Sequence, residues 1–132
     1  MAGEYQMIVV CGKNEVVQKQ LKSRQWPSNV NVVVNGFVAN MDDWMVAADL
    51  MVTKAGPGTI AEAAIVGLPC MLSGFLPGQE EGNVPYVINA GYGDFSRDPT
   101  KISAKVTEWL GDAELVAKMS AAASLCGEIG QF

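Results

Sequence analysis

The sequence contains no histidine, and its three cysteines, Cys11, Cys70 and Cys126, lie far apart. Without histidine or closely spaced cysteines, no metal site is predicted, and an odd number of distant cysteines does not indicate a disulfide framework. We interpret the cysteines as apolar residues of a chain in a reducing compartment. The usual general base is also missing, and no nucleophile–base pair stands out, so the sequence identifies no catalytic residue.

Charged residues and long apolar runs are scarce as well. The net charge of −5 argues against a broad nucleic-acid surface, so no nucleic-acid partner is expected. No apolar run approaches the roughly 18 residues that would span a bilayer, and the start carries no secretory or transit pattern. The 132 residues fit one domain, 1–132. Because strand and helix patterns run almost to both ends, we expect this domain to be a fragment.

Short apolar strand patterns alternate with helix patterns. Strands are predicted over residues 7–11, 30–34, 50–53 and 69–72, with 92–95 weakly extended, and helices over 14–25, 41–48, 59–66, from Asn83, 100–110 and 112–126. Asn14 and Asn83 are predicted helix N-caps, and Gly67 ends the third helix. The β-branched run at 7–11 is typical of a strand covered on both faces. The alternation predicts an α/β fold, a Rossmann-like parallel sheet flanked by helices.

Ligands of such sheets bind beyond the carboxyl ends of the strands, where this chain concentrates its glycines and polar residues. The third strand leads through Ala55-Gly56-Pro57-Gly58 into a helix that carries Thr59 and Glu62. Unpaired N–H groups at a glycine-rich helix start lie beside the positive end of the helix dipole and suit a phosphate. Glu62 can accept hydrogen bonds from a ribose diol. Neither a P-loop ending nor a Gly-x-Gly-x-x-Gly motif is present, so ATP hydrolysis and dinucleotide binding are not indicated.

Each candidate also has a purely structural interpretation. Thr59 and Glu62 have the spacing of a capping box, which needs no ligand. Gln79 and Glu80 can bind sugar hydroxyls, but they can equally form the acidic entry to the next helix. Phe37 before Val38 can stack on a base or fill the core. The three tryptophans are interpreted as packing residues.

Three motifs together resemble a known family. They are Thr53-Lys54-Ala55-Gly56-Pro57-Gly58-Thr59-Ile60-Ala61-Glu62-Ala63, then Gly67-Leu68-Pro69, then Pro77-Gly78-Gln79-Glu80-Glu81-Gly82-Asn83-Val84-Pro85-Tyr86-Val87. They resemble the C-terminal half of the monogalactosyldiacylglycerol synthases of plants and algae. Those enzymes share a glycosyltransferase family with the bacterial peptidoglycan N-acetylglucosaminyltransferase. The first motif is common across that family, and the last is typical of the galactolipid enzymes.

The resemblance implies the C-terminal, donor-binding half of a two-domain GT-B glycosyltransferase, which transfers galactose from UDP-galactose to diacylglycerol with inversion. The sugar nucleotide is a substrate, so no cofactor is implied. The catalytic base, the diacylglycerol site and the peripheral membrane contact are expected in an N-terminal domain, and the chain alone is expected to be inactive. The implied location is the plastid envelope. The implied donor-binding residues are Phe37 and Val38 near uracil, Gly58 and Thr59 at the diphosphate, Glu62 at the ribose, and Gln79 and Glu80 at galactose. Gly56 and Asn83 complete the implied set.

Two alternatives stay open at this point. One is a UDP-N-acetylglucosamine-dependent, lipid-linked glycosyltransferase subunit of the same family. The other is a non-catalytic nucleotide-binding module, which the absence of an evident base permits.

Overall fold

A computed structural model describes residues 5–36, 38–75 and 81–129. The chain divides into two compact units, Met1–Met41 and Asp42–Phe132. The prediction that residues 1–132 form one domain stays a prediction.

The first unit is a parallel β–α–β arrangement. Strand β1 (Tyr5–Val10) leads through helix α1 (Glu15–Ser23) to strand β2 (Val30–Asn35). The strands pair in parallel from Tyr5 opposite Val30 to Val10 opposite Asn35. The side chain of Asn14 accepts a hydrogen bond from the N–H of Val17, which confirms the predicted N-cap.

The prediction that the first strand is covered on both faces is wrong. Met7 and Val10 of β1 are more than one-third exposed, and α1 has no buried residue. Val16 of α1 is 67% exposed. One helix beside a two-stranded sheet offers too little apolar surface to enclose both sheet faces.

The second unit contains the remaining elements. Their bounds are α2 (Met41–Ala47, which begins at the unit boundary), β3 (Met51–Thr53), α3 (Pro57–Val66), β4 (Cys70–Leu72), α4 (Asn83–Ala90), β5 (Gly93–Phe95), α5 (Pro99–Leu110) and α6 (Ala113–Ile129). These bounds confirm the predicted order of strands and helices within a few residues. The main differences are the earlier start of α3 and the longer α6.

The second unit has its own parallel sheet, with β4 between β3 and β5. The single sheet predicted from the sequence is therefore present as two parallel sheets, one in each unit. The strand that the sequence predicts least clearly, β5, begins at Gly93, opposite Cys70. A Cβ at Gly93 would lie 2.2 Å from the carbonyl oxygen of Cys70, so only glycine fits this close approach.

Helix α3 ends as predicted, at a glycine in the left-handed region. Gly67 has φ 69°, and the next N–H, of Leu68, donates to the carbonyl of Ala63 at 2.8 Å. This is a Schellman arrangement, which satisfies carbonyls that the helix end leaves free. It places Leu68 and the buried strand β4 directly after the helix.

The core of the second unit lies around β4. Met71, Trp109 and Met119 form a buried cluster, so the interpretation of Trp109 as a packing residue is confirmed. Cys70 is buried, whereas Cys11 and Cys126 are half-buried, and all three cysteines are free. Burial raises the pKa of the Cys70 thiol to about 12 because the thiolate would lose its solvation. None of the helices in the described part of the chain combines the length and the hydropathy that a bilayer-spanning segment needs.

Candidate functional site

The candidate site is the junction between β3 and α3. Helix α3 has Gly56 as N-cap and Pro57 as its first residue, so it begins two residues before the predicted start at Thr59. Proline fixes φ and lacks an N–H, which suits the first position of a helix. No side chain caps this helix. The capping-box interpretation of Thr59 and Glu62 is therefore wrong, because Thr59 lies inside the first turn.

The first turn of α3 presents unpaired backbone donors. Helical hydrogen bonding begins with the N–H of Ile60, which donates to the carbonyl of Gly56 at 3.0 Å. The N–H groups of Gly58 and Thr59 precede that bond and have no carbonyl to bind within the helix. Gly58 is exposed, and a Cβ built on it would meet no atom within 4 Å. Two donors at the positive end of a helix dipole, with open space in front, form a site for an anion.

Glu62 extends the same surface. It lies four residues after Gly58 and three after Thr59, so the three residues share one side of α3. The side chain of Glu62 is exposed, and Thr59 is half-buried. A carboxylate here lies one turn from the free amides, where it can accept hydrogen bonds from hydroxyl groups attached to a bound phosphate.

Asn83 does not have the predicted capping role. Helix α4 begins at Asn83 itself, with Gly82 as N-cap and no side-chain cap hydrogen bond. The Asn83 side chain instead donates from Nδ2 to the carbonyl oxygen of Ala55 at 2.8 Å. Asn83 is therefore brought to the β3–α3 loop, although it lies 28 positions further along the chain. No local pattern in the sequence predicts this contact, and only the resemblance places Asn83 in the donor-binding set.

The remaining predicted site residues are Gly56, Val38, Phe37, Gln79 and Glu80. Gly56 is the N-cap of α3, as described above. Val38 is half-buried and belongs to the first unit. Phe37, Gln79 and Glu80 lie outside the described residues, and their ligand roles stay predictions.

A cluster at the carboxyl ends of β4 and β5 was not found from the sequence. The guanidinium carbon of Arg97 lies 4.6 Å from the ring centroid of Phe75 and 6.0 Å from that of Phe95. The two rings are 5.6 Å apart and tilted by 49°. This cation–π contact ties the chain after β5 to the chain after β4. The only signal in the sequence for this contact is that the three residues lie at or just after the ends of two parallel strands.

A surface depression of about 400 Å³ belongs to the first unit. It is lined by Tyr5, Gln6, Ser28, Asn29 and Asn31, at the amino ends of β1 and β2. Ligands of parallel α/β sheets bind at the opposite edge, so this depression does not mark the candidate site. Within the described part of the chain, no group of three acidic, cysteine or histidine side chains is placed to hold a metal ion.

Comparison with known proteins gives a consistent result. Residues 1–125 match the glycosyltransferase family 28 C-terminal domain. The chain is 52% identical over 104 residues to the probable monogalactosyldiacylglycerol synthase 2, chloroplastic, of Oryza sativa subsp. indica, and 48% identical over 116 residues to monogalactosyldiacylglycerol synthase 3, chloroplastic, of Arabidopsis thaliana. These matches cover 79% and 87% of this chain. They cover 22% and 24% of the relatives, so the chain spans about a quarter of their length or less.

Solved structures agree on the fold. The match to a crystal structure of MurG from Acinetobacter baumannii covers 93% of this chain and 37% of the MurG chain. Its TM-score is 0.79, and the sequence identity is 21%. The match to the glycosyltransferase VinC in complex with DTDP covers 97% of this chain and 38% of the VinC chain. Its TM-score is 0.66, and the sequence identity is 14%. The predicted α/β fold of a GT-B C-terminal domain is thereby confirmed.

Proposed function

We propose that this chain, which belongs to the glycosyltransferase family 28 C-terminal domain, binds UDP-galactose. It would serve as the donor half of a galactolipid synthase. The reaction would transfer galactose to diacylglycerol. The observation that carries the proposal is the pair of unpaired amides of Gly58 and Thr59 at the start of α3. The relatives named as monogalactosyldiacylglycerol synthases support the choice of substrates.

The two amides would hold the diphosphate of the donor. When the bond between the anomeric carbon and the diphosphate oxygen breaks, negative charge grows on the departing UDP. Fixed N–H donors at a helix start stabilise such charge without having to reorient. The amides of Gly58 and Thr59, after the N-cap Gly56, would therefore bind the donor and also lower the barrier to its cleavage.

The rest of the donor would contact the residues that the resemblance assigns. Glu62 would accept hydrogen bonds from the ribose hydroxyls, on the same side of α3 as Gly58. Phe37 and Val38 would lie near uracil, and Gln79 and Glu80 near the galactose hydroxyls. Asn83 would belong to the donor-binding set through its hydrogen bond to the β3–α3 loop. These roles are part of the proposal.

The acceptor side would lie in another part of the synthase. The diacylglycerol hydroxyl would attack the anomeric carbon from the face opposite the diphosphate, which inverts its configuration. A base in the N-terminal domain of the whole enzyme would take the hydroxyl proton, and that domain would also contact the membrane. On this proposal the chain alone turns over no substrate, the reaction uses no cofactor, and the enzyme acts at the plastid envelope.

The proposal is tested by calorimetric titration of this chain with UDP and with UDP-galactose. We expect weak binding, with a Kd on the order of 1 mM, because one domain provides only part of a GT-B cleft. Gly58→Ala should weaken UDP binding by about tenfold, because its new methyl group would occupy the space in front of the amides. The fold should tolerate this change, since no atom lies within 4 Å of the added Cβ.

Gly111→Ala, at the end of α5, is the matched control. Its added Cβ makes ordinary contacts, the nearest at 3.5 Å, and it is remote in sequence from the loop. We expect its UDP affinity to equal that of the wild-type chain. A folded wild-type chain that gives no heat with UDP at millimolar concentration would contradict the proposal. Equal UDP affinity in Gly58→Ala and the wild type would also contradict it.

A further inference from the structure

The main chain at Ala55 is held from two sides by the segment that follows β4. Its N–H donates to the carbonyl of Gly74 at 2.7 Å, and its carbonyl accepts from Asn83 Nδ2 at 2.8 Å. Ala55 has no exposed surface. Without Asn83, this buried carbonyl would lose a hydrogen bond that water is poorly placed to replace.

The Ala55 carbonyl controls the direction of the chain that enters α3. The Ala55 carbonyl belongs to the planar peptide group that joins Ala55 to Gly56. The orientation of this plane therefore sets the direction of the Gly56 backbone. Gly56 is the N-cap, and its carbonyl accepts the first helical hydrogen bond, from Ile60. A rotation of this peptide group would therefore change the direction of the Gly58 and Thr59 N–H groups.

We propose that Asn83 is a positioning residue, which holds the Ala55 carbonyl and thereby fixes the two free amides for a diphosphate. Asn83 acts through the main chain in this assignment and need not touch the sugar nucleotide. What the loop binds rests on the proposed function, whereas the way Asn83 holds the loop rests on the hydrogen bond alone.

Amide hydrogen exchange tests the positioning role without any ligand. In Asn83→Ala we expect the N–H of Ala55, which donates to Gly74, to exchange about tenfold faster, because the loop opens more often. Asn89→Ala is the matched control, since Asn89 is an exposed asparagine on the same helix. It should leave Ala55 exchange unchanged. Equal exchange at Ala55 in the wild type and Asn83→Ala would overturn the assignment.

Asn83→Asp keeps the inference testable if the alanine variant folds poorly. Aspartate has nearly the shape of asparagine and suits the first turn of α4, but its carboxylate cannot donate to the Ala55 carbonyl. We expect the same acceleration of Ala55 exchange in this variant. Exchange as slow as in the wild type would overturn the assignment.

Binding separates positioning from direct sugar contact. If Asn83 acts through the loop, Asn83→Ala should lower the affinity for UDP, UDP-galactose and inorganic pyrophosphate by a similar factor, about fivefold. The positioning role would be overturned if Asn83→Ala weakened the binding of UDP-galactose alone. It would also be overturned if the affinity for all three ligands stayed unchanged. A wild-type chain that binds no UDP would contradict the proposed function, but the exchange measurement would still decide how Asn83 acts.

Discussion

Gly127 of α6 lies against the backbone of Ala64 in α3: a Cβ on Gly127 would be 2.8 Å from the Ala64 carbonyl oxygen. Ala64 and Ala123, which precedes Gly127 by four residues in α6, are fully buried. Small residues let the two helices approach closely, so α6 fixes the C-terminal half of the helix whose N-terminus carries the candidate site.

Gly127→Ala should therefore destabilise the chain. The added methyl would push against backbone atoms of α3, and such overpacking costs about 1–3 kcal/mol. The higher helix propensity of alanine would offset up to about 1 kcal/mol of that loss. Urea unfolding followed by circular dichroism measures the change, with Gly111→Ala as control. A Gly127→Ala chain as stable as the wild type would show that the helices can separate without cost.

Glu62→Ala should affect binding and leave stability unchanged. Glu62 is exposed and has no capping role. We therefore expect the free energy of unfolding of the Glu62→Ala chain to stay within about 0.5 kcal/mol of that of the wild type. UDP affinity should fall more than affinity for inorganic phosphate, because phosphate has no ribose to contact. Parallel titrations measure both, and Glu114→Ala, an exposed glutamate of α6, is the control. A loss of thermal stability without a change in UDP affinity would refute the ribose contact.

Arg97→Ala should lower stability modestly. The guanidinium lies over Phe75 and near Phe95, and an exposed cation–π contact contributes about 0.5–1 kcal/mol. Thermal unfolding measures this loss, and Lys101→Ala, an exposed cation on α5, provides the comparison. If both substitutions have the same effect, charge alone explains it and the ring contact contributes nothing.

Stability should decrease at alkaline pH because of Cys70. The pKa of its thiol is raised from 9.0 to about 12 in the folded chain, so the folded state keeps a proton that the unfolded state loses. This stabilising difference is fully present below pH 9 and is lost as the pH rises toward 12. Between pH 8 and 10 the free energy of unfolding should fall by about 1 kcal/mol.

Cys70→Ala isolates this effect. Burial also raises the pKa values of Tyr92 and Tyr86 from their ordinary value of 10.0, so both tyrosines contribute to the decline in either chain. The difference between the two chains therefore reports on Cys70. Urea unfolding at pH 8, 9 and 10 should give a smaller decline for Cys70→Ala than for the wild type. Parallel declines in the two chains would exclude the Cys70 thiol as the cause.

Local sequence signals predicted many features of the fold. Asn14 caps α1, and Gly67 adopts the left-handed conformation that ends α3, because both depend on neighbours within a few residues. The spacing of Thr59 and Glu62 predicts that α3 starts at Thr59, whereas Pro57 already begins the helix. Strand β5 was unclear because Gly93 has low strand propensity and is required by its close approach to Cys70.

The alternation of strands and helices and the glycine-rich start of α3 follow from residues that are close in the chain, since hydrophobic period, proline and glycine act over a few residues. The hydrogen bond from Asn83 to Ala55 and the position of Arg97 over Phe75 depend on how the elements pack. These partners lie 28 and 22 positions apart, and they meet because parallel strands bring their carboxyl ends to one edge of a sheet.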